Sequence, residues 1–453
     1  MIDNMHSSSG EMIDIQIEES LGRETLMAID SANFRDEIYS IGGFVVILII
    51  STLTGFFGPK PFDVNEKTIY LRSSNEKGLI GTKAQDFSMT IKEITPYFKF
   101  VSFQLIFNRE NTAGVVNEQI AYNYKVVMKK NNEIVKTVVN YDDNTHLIAF
   151  AGNEETYPII LYTQKLLNFD SIHFECTIDV PPMYTSLTLR FVHGFTQYTI
   201  FQIYFKLIFA LIELIFLVLF VLRLSTAQFK YWHLEQKLTC PLLLLSFLYN
   251  NIFEFFFVKH KSNSVVLLEI LVNSLFSAYL KFFILVLFDS LRYKNRKTDK
   301  CFFVPKIILC SIIYLADVVS EIGFTVFDKK IIFMAYFNIV LFCGYIVWCI
   351  FCIIVASIQV DITERYKYII YLVSGSVSIA LIFLYGVIFS FLPKFKDSAL
   401  RFVGVYSIQN VFVLLMAYFH WPYEVLHDQD YVNGDNAQEG ATPAEFFVND
   451  ESN

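Results

Sequence analysis

Histidine is nearly absent from the apolar parts of this chain. Of eight histidines only His420 falls in such a stretch, and near its end, so an intramembrane hydrolase with a histidine-held zinc has no ligands. Neither G-x-S-x-G nor G-x-x-x-x-G-K-[ST] occurs, which removes the serine-hydrolase elbow and the phosphate-cradling loop. No enzyme activity, metal or cofactor is therefore expected. Cysteine is sparse as well. Six of the seven (Cys240, Cys301, Cys310, Cys343, Cys349, Cys352) lie in or beside apolar runs, where a thiol is a small buried hydrophobe. Cys176 is alone in the long polar region, so that region cannot carry an internal disulfide. No Asn-x-Ser/Thr sequon exists to report which side faces a lumen. Charge is also low, at 18% of residues.

What fills the chain instead is apolar: 54% of its 453 residues, including 47 phenylalanines, with a mean hydropathy of +0.44. A soluble protein of this size has no use for so much apolar surface, and a polytopic membrane protein does. Crossing the bilayer takes about 20 mostly apolar residues. Eight stretches reach that length: 39–57, 199–224, 238–258, 264–288, 302–324, 331–357, 368–392 and 402–421. The first follows 38 acid-rich residues rather than a short basic segment, so it reads as an uncleaved signal anchor and not a secretory signal.

The net charge of -8 is concentrated at the ends. Residues 1–38 hold nine acids against two bases and residues 422–453 hold eight acids and no base, which leaves the remainder at +7. Acidic tails of this composition read as disordered, and nucleic acid is not an expected partner. Eight spans put both tails on one side. With that side cytosolic, ten Lys/Arg occupy the inner short loops against seven in the outer ones, and 290–300 (SLRYKNRKTDK) is the densest. The excess of inner positive charge predicts cytosolic termini.

Residues 58–197 are different in kind. FKFVSFQLIF begins with alternating apolar and polar side chains, and YNYKVVMKKNNEIVKTVVNY holds two β-rich runs around an Asn131-Asn132 turn. THLIAF, YPIILY, IHFECTIDV and LTLRFVHGF are further short candidate strands. The pattern predicts an extracytoplasmic antiparallel β-sandwich whose last strand runs into the second span.

Polar side chains inside the spans are the candidate functional residues. Helical spacing groups Asn250, Asn251 and Glu254 on one face of the third span. Glu269, Asn273, Ser277 and Lys281 step by four down the fourth, Asp317 and Glu321 are four apart in the fifth, and Glu213 is near the middle of the second. A charge at mid-membrane costs roughly 2.5–3.5 kcal/mol, so such groups face a bundle interior or a wet cavity. Four carboxylates (Glu254, Glu269, Asp317, Glu321) predict a polar cavity open toward the lumen, some of them hydrated or protonated because few cations share their depth. The plainer reading holds for Asn338, Gln409, Asn410 and the serines at 374, 376 and 378: interhelical hydrogen bonds of about 0.6 kcal/mol each. Lys206 and Lys306, a turn or two from their span ends, are expected to snorkel.

Trp232-x-x-Glu235-Gln236-Lys237 before a leucine run ending in Tyr249-Asn250, together with GFFGPK (55–60), VPK (304–306) and QNVFVLLMAYFHWP, resembles the transmembrane protein 181 family. The same frame is similar to Wntless, nearest at LEQK and at LADVVSEIG (315–323), and more distantly to GOLD-domain seven-helix proteins. The resemblance covers 39–422. It implies a GOLD-like β-sandwich (58–197) over a seven-helix bundle (198–421) whose cavity accepts lipid, in proteins of the Golgi, endosome and plasma membrane. Within that frame Glu254, Asn250 and Asn251 line the luminal mouth, while Trp232 and Lys237 anchor the cytosolic end of the third span. A single cysteine in the luminal domain departs from a disulfide-rich cargo-binding domain. The expected role is a trafficking or cargo/lipid-binding receptor whose partners are membrane lipid, a luminal protein or lipid ligand, and cytosolic coat adaptors. Tyr423-Glu-Val-Leu426 and Phe446-Phe447 match an adaptor and an export signal respectively, against the plainer reading of disordered ends. Two alternatives stand beside this role. One is a seven-transmembrane signalling receptor, not of the rhodopsin type because Asn-Pro-x-x-Tyr is missing; the other is an ion pathway along the acidic ladder.

Overall fold

A computed structural model describes residues 25–31, 34–70, 83–109, 119–147, 155–165, 167–180, 184–250, 254, 263–291, 300–325, 332–361, 365–385 and 398–425. The polar region is a pair of four-stranded antiparallel sheets. One has the order β2(Phe62–Tyr70)-β9(Tyr184–Gly194)-β4(Val101–Arg109)-β7(Ile159–Gln164), and the other β3(Lys83–Ile91)-β8(Ser171–Val180)-β5(Gln119–Lys130)-β6(Glu133–Leu147). Their inner faces interdigitate through Phe103 of β4, which stacks at 4.2 Å on Phe174 of β8, and through Phe107, Phe191, Ile172 and Val126, all fully buried. Asn131 and Asn132, both at positive φ, make the two-residue turn joining β5 to β6, the conformation that tight hairpins demand. THLIAF does not begin a strand of its own: its described part, through Leu147, is the end of the 15-residue β6.

Eight long helices follow the apolar runs: α1(Phe34–Phe56), α2(Thr196–Leu224), α3(Leu234–Tyr249), α4(Asn263–Ser290), α5(Lys300–Thr325), α6(Ile332–Gln359), α7(Arg365–Phe383) and α8(Leu400–Phe419). Among the described residues six contain a stretch long and apolar enough to cross a membrane, within α1, α2, α4, α5, α6 and α8. The chain is a multi-pass integral membrane protein. Helix α3 is shorter than the predicted third span, at 16 residues with Pro241 inside it, and its last carbonyls are met by the Asn250 amide. Helix α8 is the axis of the bundle. Its span is 78% buried, against 11% for α1, which packs on the outside and is tied to α8 by Ser40 Oγ donating to Tyr418 Oη at 2.7 Å. Gly404 lets Tyr385 lie flat on α8; a Cβ there would meet the ring at 2.2 Å.

Strand β9 passes into α2 through one residue, Phe195. Gly194 is required at this joint because a Cβ would sit 1.8 Å from the Phe98 carbonyl oxygen. Around it the Phe195 amide donates to Pro61 O (3.2 Å) and Thr199 Oγ1 to Tyr97 O (2.7 Å), so the β-domain is pinned to the top of α2.

The far end of the bundle departs from expectation. Within the acidic segments predicted to be disordered, Thr25–Met27 (β1) and Pro422–Val425 (β10) pair antiparallel, followed by a helical turn at Ala28–Ser31. Met27 and Ile29 are buried in the helical core beside Phe220 and Leu224, and Asp30 forms an ion pair with Lys367. Apolar side chains hidden between the acids overrode the local composition. The strap also takes Tyr423, Glu424 and Val425 of the adaptor-like motif into a strand; Leu426 and Phe446-Phe447 lie outside the described residues.

Candidate functional site

Among the described residues three polar assemblies gather around α8. The innermost joins α2, α3 and α8. Glu213 accepts from Ser246 Oγ at 2.5 Å and from Asn250 Nδ2 at 2.5 Å, one bond to each carboxyl oxygen. The same Asn250 amide donates to Asn410 Oδ1 (2.8 Å), and its carbonyl oxygen accepts from the Tyr406 hydroxyl. Asn410 Nδ2 returns to Tyr406 O at 2.8 Å. Glu213, Ser246, Asn250 and Asn410 are completely buried. This assembly is interhelical adhesive, packed solid; Glu213 and Asn250, expected on a cavity wall, line neither cavity described below. Every partner is satisfied, which is the condition for tolerating polar groups at this depth.

The second assembly lies where the β-domain meets the bundle. Glu254 is gripped by two lysines: Lys206 of α2 at 2.8 Å and Lys99 at 2.9 Å, the latter from the turn at Pro96–Phe98 beneath the β-sandwich. Lys99 also donates to Gln202 Oε1 (2.8 Å) and holds a positive φ of 61°, a strained conformation for a side-chain-bearing residue. Only 6% of the Glu254 side chain and 13% of that of Lys206 are exposed. Beside them a cavity of about 730 Å³ lies between two helical stripes, Tyr198-Gln202-Lys206 on α2 and Arg401-Phe402-Val405-Tyr406 on α8, with Pro61 and Phe62 of the β-domain at its rim.

A second cavity of about 480 Å³ adjoins it, with Tyr249 and Asn273 common to both. Its wall is polar: Asp317, Glu321, Ser277, Ser320, Asn338 and Gln409 contribute. Lys281 Nζ lies 3.8 Å from Asp317 Oδ2 and donates to Ser277 Oγ at 2.7 Å. Gln409 is hydrogen-bonded from Tyr249 Oη at 3.0 Å, as the adhesive reading predicts, yet it is also a cavity wall.

The predicted residues therefore part company. Asn273, Asp317 and Glu321 line a cavity, and Glu254 sits behind Lys206 as its counter-ion. Glu269 is half-buried near enough to act on Lys206 electrostatically, and Asn251 lies outside the described residues. Of the four carboxylates expected to be short of cations, Glu254 has two and Asp317 has one, while among the described residues Glu269 and Glu321 form no ion pair. Lys206 and Lys306 do not snorkel. Lys306 is 2% exposed, paired with Asp289 at 2.6 Å and stacked 3.6 Å from the Phe302 ring. A lysine facing inward finds a carboxylate nearer than water, and the pair replaces hydration. Lys99 and Arg401 were not legible as site residues, since one belongs to the polar domain and the other reads as a loop charge.

The Trp232-Glu235-Gln236-Lys237 motif builds the opposite end of α3. Trp232 Nε1 donates to Ala227 O (3.1 Å), Gln236 Oε1 accepts the His233 amide (3.0 Å), and the Lys237 ammonium lies 5.1 Å from the Phe229 ring. Glu235 and Gln236 are buried. Nearby, His420 bridges Thr239 Oγ1 (2.7 Å) and Tyr371 Oη (2.9 Å), a link between α3, α7 and the end of α8 that single residues gave no sign of.

Comparison with known proteins bears on the bundle. No curated protein matches the chain. A solved structure of infectious bursal disease virus, Gx strain, is 13% identical over 29% of this chain and 38% of its own, with a TM-score of 0.11, too low to carry any argument. This chain thus spans well under half of that one. The model of the Wntless-like transmembrane domain matches residues 195–424, from the Gly194 joint through strand β10 and just over half of the sequence. By its fold and by this match, the chain belongs to the Wntless-like transmembrane domain family.

Proposed function

We propose that this protein is a trafficking receptor of the secretory and endocytic pathway that binds a lipid or lipid-bearing cargo in its helical bundle. The observation that carries the reading is the 730 Å³ cavity between α2 and α8, roofed at its rim by the β-domain and amphipathic in its lining. Ligand sites of about 300–1,000 Å³ with aromatic walls and a few placed polar groups are the usual form of small-molecule binding. The β-domain sits where it could sense or add to what the bundle holds, since Lys99 reaches from it into the Glu254 pair. No catalytic role is proposed, and cytosolic termini with a luminal β-domain complete the reading.

The test is an unbiased inventory. Full-length protein purified from membranes in mild detergent should carry a lipid class, or a luminal protein, far above its share of the bulk membrane. Filling the cavity with Val405→Trp should remove it. Lipid in bulk proportions, the same for wild type and variant, would refute the reading. A second reading, an ion pathway, is favoured by one observation: the polar 480 Å³ cavity with Asp317 and Glu321 on its wall, the former 3.8 Å from the Lys281 ammonium. Reconstituted bilayers whose conductance is flat, and unchanged by Asp317→Asn or Glu254→Gln, would dismiss it.

A further inference from the structure

The larger cavity has a charge polarity as well as a shape. Two cations line it, Lys206, which is committed to Glu254, and Arg401. Among the described residues Arg401 is therefore the lining charge that no carboxylate has taken up. Among the described residues Arg401 makes no ion pair and no hydrogen bond, although it is one residue inside the start of α8, where the helix already presents unpaired amides. Below it on the same helical face, Phe402, Val405 and Tyr406 continue the stripe with apolar surface, and Ile382 of α7 faces it. The cavity is thus cationic at its mouth and apolar along its wall.

The cavity's volume of about 730 Å³ lies within the roughly 300–1,000 Å³ of ordinary small-molecule sites, a size suited to one acyl chain with a small headgroup.

We propose that this cavity selects a single-chain amphiphile with an anionic headgroup, a carboxylate or a phosphate monoester, whose charge is met by Arg401 while its chain lies along Phe402, Val405 and Ile382. The proposal rests on the reading that the bundle holds a lipid and specifies its chemistry. Lys206 contributes field rather than a direct bond, because Glu254 already holds it at 2.8 Å. Guanidinium is suited to either headgroup, since its donor fork matches both carboxylate and phosphate oxygens.

The experiment uses full-length protein in nanodiscs and four probes: oleate, oleoyl lysophosphatidic acid, oleyl alcohol and inorganic phosphate. Oleate or the lysophosphatidate should bind at least 10-fold more tightly than oleyl alcohol, and Arg401→Gln should erase that preference while leaving the alcohol unchanged. The preference of wild type between the two anionic probes assigns the headgroup. Val405→Trp should abolish binding of all three chain-bearing probes. Arg401 is exposed, so its variant is expected to fold, which an unchanged elution profile verifies. Equal binding of oleate and oleyl alcohol, insensitive to Arg401→Gln, would overturn the headgroup proposal and leave the lipid reading intact. Failure of every chain-bearing probe would defeat both. Inorganic phosphate displacing the lysophosphatidate at equal concentration would show a site for a free anion and overturn the amphiphile.

Discussion

Neutralising Glu254 perturbs the contact between the β-domain and the bundle most directly. In Glu254→Gln the carboxylate that holds Lys206 at 2.8 Å and Lys99 at 2.9 Å becomes an amide of the same shape, and two ammonium groups are left facing each other. Anchored on one carboxylate, the two lie within about 8 Å, where an effective dielectric constant of about 20 makes their repulsion about 2 kcal/mol. Stranding a buried partner costs about 3–5 kcal/mol where both groups are hidden. Lys206 meets that condition; Lys99, with 35% of its side chain exposed, is screened and adds less than about 1 kcal/mol. A total loss of about 3–6 kcal/mol is expected, read as a lower midpoint in detergent-based thermal unfolding. The partition is checked by a double-mutant cycle: Lys206→Met should recover most of the loss in the Glu254→Gln background, and Lys99→Met a smaller part. A Glu254→Gln protein as stable as wild type, or zero coupling to Lys206, would refute the claim that this triad holds the two domains together.

Other perturbations test the remaining assemblies. Asn250→Leu strips Glu213 and the Tyr406 hydroxyl of a partner each and should cost about 1–3 kcal/mol per stranded group, whereas Gln409→Leu, on a cavity wall, should cost less than 1 kcal/mol; equal losses would contradict the division into solid adhesive and hollow. Met27→Ala, at a fully buried position of the strap, should lose about 2–5 kcal/mol of local stability and open the 25–31 strap to protease; unchanged cleavage would mean that the strap bears no load. Gly194→Ala should abolish the folded joint, seen as loss of a monodisperse peak, because the methyl meets backbone rather than a side chain that could move. Burial pushes the Cys176 thiol from an ordinary 9.0 up to about 12, so at pH 8 only about one molecule in ten thousand presents the thiolate and maleimide should label it only after unfolding. Since unfolding frees that thiol to ionise, its contribution to stability is complete below pH 9 and declines from there toward 12; rapid labelling of native protein at pH 8 would overturn this.

Hydropathy alone marked out eight apolar runs and a polar β-rich insertion, because a bilayer imposes length and apolarity on each crossing independently of its neighbours. Alternation and the Asn131-Asn132 pair likewise announced the hairpin, whose turn needs only two adjacent residues. Strands β2 and β3 escaped notice: FDVNEKTIY carries little apolar signal, and in KAQDFSMTI the alternation Phe87-Met89-Ile91 is confined to the second half of the strand. That inward-facing acids need partners was also legible. Which partners they found was a matter of tertiary structure: Lys99 is 155 residues from Glu254 and reaches it only because Gly194 lets the β-domain dock on α2. Packing likewise decided that Glu213 and Asn250 seal a core while Asn273 and Asp317 border a void, for periodicity gives a side chain its helical face and not the distance to the next helix. The strap formed from two acidic tails is the same lesson, as neither β1 nor β10 has a strand's worth of signal until folding brings them edge to edge.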